Sequence, residues 1–174
     1  MRNVGLQVLA GSILIVGLAY AAGPADEAVL REARDRAEIE ALMWRYVRAL
    51  DSGDAETYAA AFTADGQFSS SNGSTTKGRE ALKKMINDAR RSRVERAASG
   101  EAPRPQMYHM TTDTYVEFLS ENEAVHHSYY FGAVVAAGDT PARIAGPGRA
   151  VDELVRVDGQ WLIKSRTVGL QDTD

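Results

Sequence analysis

The chain has 174 residues, 44% of them apolar, one domain's worth of ordinary globular composition. Its 20 basic residues stand against 24 acidic ones, net −4, with no strongly basic block overall, so nucleic acid is not expected as a partner. There are no cysteines, which excludes disulfides, thiolate metal sites and cysteine nucleophiles.

Residues 1–22 read as a signal peptide. Arg2 supplies a positive start, Val4 to Ala21 is nearly all apolar, and Ala19-Tyr20-Ala21 offers a small-x-small cleavage site. Cleavage there would deliver residues 23–174 to the periplasm or the exterior as one domain. The alternative is an uncleaved anchor over residues 4–21, since the run approaches spanning length. Only in that case is a membrane a partner.

From Asp26 onward Ile39, Leu42, Met43, Tyr46, Val47 and Leu50 recur at three- and four-residue steps, an amphipathic helix. Ser52-Gly53 ends it, with Gly53 free to take the left-handed turn. Asp54 is expected to cap a short second helix that carries Tyr58, Ala61 and Phe62 inward until Asp65-Gly66 breaks it. A first strand is expected over Gln67 to Ser71, followed by a turn at Asn72-Gly73-Ser74. A third helix starts near Gly78 and runs into the basic cluster Arg90 to Arg96, which reads as a solvated helix face rather than a grip for an acidic substrate.

The remainder reads as sheet. Strands are expected over Met107 to Leu119, Ala124 to Ala137, Arg149 to Val157 and Trp161 to Val168. A Gly- and Pro-rich hairpin loop fills Gly138 to Gly148, and Asp158-Gly159 forms a two-residue turn. Helices clustered before a mostly antiparallel sheet make an α+β fold. The expectation is a cone-like curved sheet wrapped around three N-terminal helices, an α+β barrel with a cavity at its open end.

Asp51 is the oddly placed residue. A helix C-terminus carries partial negative charge, so an acid there breaks the local rule. Function is one possible compensation; capping of the backbone amides at Ser52 to Asp54 is the plain alternative. Tyr46 lies five residues earlier, roughly 140° away around an ideal helix. Its plain alternative is a core aromatic with a satisfied hydroxyl. His109 opens a long strand and reaches the cavity if its face of the strand points inward. His126 and His127 are adjacent on one strand, so they face opposite ways and cannot share a metal. No metal site is expected. Tyr58, Phe62, Tyr115, His127 and Tyr129 are candidates to line the substrate cavity.

Tyr46-x-Arg48-x-Leu50-Asp51, Asp54, Phe62-Thr63-x-Asp65-Gly66, His109-Met110 and Asp158-Gly159-Gln160-Trp161 together resemble the SnoaL-like members of the nuclear-transport-factor-2-like superfamily. Within it the pattern is most similar to the bile acid 7α-dehydratases and, more loosely, the scytalone dehydratases. The resemblance spans roughly Asp35 to Leu170. It implies that Tyr46, Asp51 and His109 are catalytic. His109 would be the general base or acid. Asp51 would orient it and stabilise its charged form, and Tyr46 would donate a hydrogen bond to a carbonyl or enolate oxygen. It implies a cofactor-independent lyase, of dehydratase type or a related C–C lyase or isomerase, acting on a small apolar cyclic or aromatic substrate. The rival is a non-catalytic ligand-binding or interaction module of the same fold. A homodimer through the outer face of the sheet is expected. The chain departs from the bile acid pattern at Gly132, where that pattern has an acid, and at Leu170, where by count it has an arginine.

Overall fold

A computed structural model of the protein describes residues 23–101, 105–135 and 141–170. The expected signal segment lies outside them. Among the described residues no helix is long and apolar enough to cross a membrane.

Helix α1 (Pro24–Ser52) buries Ile39, Leu42, Met43 and Tyr46 of the stripe its periodicity marked, with Val47 and Leu50 half-buried and Ala49 buried beside them. Gly53 closes it in the left-handed conformation (φ 71°), and Asp54 N–H returns to the Ala49 carbonyl at 2.9 Å. The last turn carries no basic residue. Helix α2 (Ala55–Ala60) is capped by Asp54, whose carboxylate accepts from Thr57 N–H at 3.1 Å. It is shorter than expected. Phe62 does not extend it but starts strand β1 (Phe62–Ser69), which therefore begins five residues before the expected Gln67. Gly66 explains the early start: it sits at a register shift where a Cβ would lie 2.9 Å from the Ile163 carbonyl oxygen, so the strand bends there instead of ending.

A short strand β2 (Thr75–Lys77), unforeseen in the sequence, pairs back on β1. Helix α3 (Arg79–Ala98) follows, burying Leu82 and Ile86. Its basic end is solvated, Arg91 pairing with Asp88 at 2.6 Å and Arg96 with Glu101 at 2.8 Å. Four long strands complete the chain: β3 (Gln106–Phe118), β4 (Glu123–Val135), β5 (Arg143–Val157) and β6 (Gln160–Leu170). The expected loop up to Gly148 is a correction. Strand β5 already begins at Arg143, because a bulge opposite Phe131 absorbs Gly146-Pro147.

The six strands form one sheet in the order β2-β1-β6-β5-β4-β3, antiparallel except for the β1–β6 pair. This is the α+β arrangement expected. The helices cover one face, where Tyr46, Tyr58 and Phe62 meet as a ring cluster with centroids 5.1 to 5.9 Å apart. Arg156 ties α1 to the sheet, pairing with Asp35 and lying 4.6 Å over Trp161.

Candidate functional site

Strand β3 is a sheet edge, so its outward N–H groups lack a strand partner. At His109 the end of α1 supplies one. Asp51 accepts from the His109 backbone N–H at 3.2 and 3.3 Å and from the imidazole Nδ1 at 2.6 Å. A carboxylate only accepts, so Nδ1 carries a proton, and in the neutral imidazole Nε2 is then the acceptor. The carboxylate of Asp51 is therefore spent on histidine and not on its own helix end.

His109 faces inward because of one residue. Across the sheet Val116 pairs with His126 and Phe118 with Ala124, all on the inner face. Strict alternation back from Val116 would turn Met110 inward and His109 out. Between Thr112 and Tyr115 the register slips, with Asp113 at φ 48°, and two residues oppose Ser128 alone. This bulge flips the phase, bringing His109 and Thr111 inside.

His109 stands where two hollows meet. One is an inner cavity of about 80 Å³ lined by Tyr46, Leu50, Phe68, Tyr130, Arg166 and Val168. The other is an open groove of about 830 Å³ between α1 and β3, walled by Met43, Trp44, Met110 and Val116. His109, Val47 and Thr111 line both. The groove's floor also holds His126, itself 3% exposed.

His126 belongs to a buried polar chain. Its Nδ1 lies 2.9 Å from Asp152, and Asp152 accepts from Arg166 at 2.6 and 2.7 Å. The Arg166 guanidinium lies 4.6 Å over the Tyr46 ring. Burial disfavours a charge on Arg166, but Asp152 beside it outweighs that and holds its pKa above the usual arginine range. Burial likewise pushes the Tyr46 phenol up, against the pull of Arg166 and of its hydrogen bond with Tyr58.

Of the expected site residues, Tyr46, Asp51 and His109 converge. Tyr46 does so with its hydroxyl already engaged by Tyr58 and Arg166, which weighs against its expected role as a donor to substrate. The five expected cavity residues stand elsewhere. Tyr58 and Phe62 are fully buried in the core beneath Tyr46 and line neither hollow. Tyr115 (61% exposed), His127 and Tyr129 (50% exposed) lie on the outer face of the sheet, the first two with ring centroids 6.2 Å apart. Alternation along β4 sends His126 in and His127 out. Sequence reasoning missed Asp152, Arg166 and Tyr130. Asp152 had a signal, since it alternates in phase with Ala150 and Leu154 of the core. Arg166 had none, because a register shift before Ser165 puts it out of phase with Trp161 and Ile163.

A family model described as a SnoaL-like domain matches residues 31–167. Among solved structures, one similar protein is a substituted form of Rv3472 from Mycobacterium tuberculosis, described as of unknown function. It is 29% identical with TM-score 0.66, over 84% of this chain and 75% of that one. A candidate scytalone dehydratase from Novosphingobium aromaticivorans is 26% identical with TM-score 0.63, over 80% and 86%. A nuclear-transport-factor-2-like protein with a cystatin-like fold from the same organism is 22% identical with TM-score 0.71, over 87% and 92%, a likeness of fold alone. No curated protein matches the chain.

Proposed function

The chain belongs to the SnoaL-like domain family, and from that footing we propose that it is a cofactor-independent lyase, of dehydratase type or a related C–C lyase or isomerase. One observation carries this reading: the 2.6 Å bond between Asp51 and His109 at the junction of cavity and groove. The structural likeness to a candidate scytalone dehydratase points the same way.

In the proposed reaction the Nε2 of His109 takes a proton from the carbon beside a substrate carbonyl. The C–H electron pair moves toward the carbonyl, giving an enolate. Its collapse forms the C=C bond and expels the β-hydroxyl, which leaves as water with one proton. That proton is the one taken from carbon, so the site returns to its starting state. Asp51 keeps the imidazole in the required tautomer and offsets its charge while it holds the proton. His126, held by Asp152 at the groove floor, is a second imidazole within the same hollow, with Nε2 unbonded among the described residues. Arg166 places a cation at the inner cavity, where an oxyanion would gather charge.

The two hollows suit a substrate in two parts. The groove, walled by Met43, Trp44, Met110 and Val116, takes an apolar cyclic or aromatic body. The smaller inner cavity takes only its oxygen-bearing head. We further propose that the protein is exported and acts in the cell envelope, on the strength of the apolar run at residues 4–21.

The test is a screen of hydroxylated cyclic and aromatic ketones against the wild type and His109→Ala in parallel. Turnover by the wild type that is lost in a folded His109→Ala supports the reading. Equal turnover by the two proteins removes it.

A further inference from the structure

Two phenols line the inner cavity, and they differ in what their hydroxyls are already doing. Tyr46 is 2% exposed, and its oxygen is engaged by Tyr58 and Arg166. Tyr130 lies on the inner face of β4, directly across from Thr111 on β3. Its hydroxyl has no hydrogen-bond partner among the described residues, and it is not sealed away from the cavity.

The strand beside it is shaped for this ring. Tyr130 pairs across β4 and β5 with Gly148, and a Cβ on Gly148 would lie 2.8 Å from the Tyr130 oxygen and 3.0 Å from Cζ. No positive φ forces glycine at this position. The missing side chain is space, and the tyrosine ring occupies it. On the other side, Gly132 faces His109 across the β3–β4 pair, two residues from Tyr130 on the same inner face. The free phenol and the imidazole therefore line one small hollow from neighbouring strands.

We propose that Tyr130 is the residue whose phenolic O–H donates to the substrate's carbonyl oxygen and developing oxyanion. Gly148 makes room for its ring, and Tyr46 is a positioning residue that supports Arg166. This rests on the acid–base reading of the site given above. It assigns the donor role to a strand residue instead of the helix tyrosine.

The probe is 4-nitrophenolate, an aryl oxyanion whose visible absorbance responds to hydrogen bonding, titrated against the full chain. A hydrogen bond to a charged oxygen is worth enough that Tyr130→Phe is expected to weaken binding by about tenfold or more. Gly148→Ala keeps every hydroxyl but displaces the ring, so it is expected to weaken binding similarly and stands in should Tyr130→Phe fold poorly. Tyr46→Phe is expected to weaken it by less than about threefold, since its hydroxyl is already engaged by Tyr58 and Arg166. Wild-type protein that does not bind the probe, or folded Tyr130→Phe and Gly148→Ala that bind as tightly as wild type, would overturn the proposal. Turnover separates the role of Tyr130 from that of His109. If His109→Ala abolishes turnover and Tyr130→Phe does not, Tyr130 is not the donor and the acid–base reading stands. If His109→Ala leaves turnover intact, the acid–base reading falls and this proposal with it.

Discussion

Asp51 holds His109 at two points, by the ring at 2.6 Å and by the backbone N–H at 3.2 and 3.3 Å. One carboxylate thus fixes both where the edge strand docks on α1 and which ring nitrogen carries the proton.

Asp51→Asn keeps an acceptor oxygen for the backbone but no longer dictates the tautomer or offsets imidazolium charge. Its kcat is expected to fall by about 10²- to 10⁴-fold with KM little changed. Asp51→Ala should add a stability loss of about 1–3 kcal/mol, because a partly buried N–H loses its partner. Steady-state kinetics and urea unfolding of the two variants separate the effects. An Asn variant with wild-type kcat would refute the tautomer role.

The Arg166–Asp152 pair is fully buried. Removing one partner strands the other charge, so Asp152→Ala is expected to cost about 3–5 kcal/mol. Replacing both, as Asp152→Leu with Arg166→Met, should recover much of that loss while leaving the oxyanion end of the cavity without its cation. Chemical denaturation of the single and double variants checks this. A double variant as unstable as Asp152→Ala alone would contradict it.

The alkaline limit follows from the buried phenols. Tyr46 and Tyr58 both have their pKa raised above the ordinary 10.0, in each case chiefly by burial. The unfolded chain therefore releases these protons before the folded one does. Their contribution to stability is complete below pH 10 and is lost as pH rises beyond it. Absorbance at 295 nm should show Tyr46 and Tyr58 ionising only as the protein unfolds. Ionisation of Tyr46 and Tyr58 near pH 10 with the fold intact would contradict this.

The bulge at Asp113 is testable by length. Deleting Asp113 removes the extra residue itself, so strict alternation back from Val116 then places Thr111 and His109 inside, and activity should be kept. Asp113→Gly, which suits φ 48°, should keep activity and leave stability unchanged or raised by up to about 1 kcal/mol. A folded deletion variant without activity would show that the bulge does more than set the phase of the strand.

The outer face of the sheet carries Tyr115, His127 and Tyr129, with no helix over it among the described residues. We propose that a second copy of the chain covers it. Light scattering on the folded protein should report a dimer, and Tyr129→Glu should shift it to monomer. A monomeric wild type at high micromolar concentration would remove this expectation.

Much of this protein was legible in its residue order. Periodicity gave α1 and its buried stripe, Gly53 its stop, Asp54 the cap of α2, and turn residues most of the strand ends, because each of these is a local preference. The resemblance over Tyr46, Asp51 and His109 pointed to three side chains that the structure brings together. Long-range register did the rest. Whether His109 faces in or out depends on a single extra residue at Asp113, which no alternation pattern announces. Arg166 reaches the cavity past a similar slip before Ser165, and Tyr130 finds its place only because Gly148 lies opposite it on another strand. A sequence records which residues prefer to be buried. Only strand pairing, decided by the whole sheet at once, determines which of them meet.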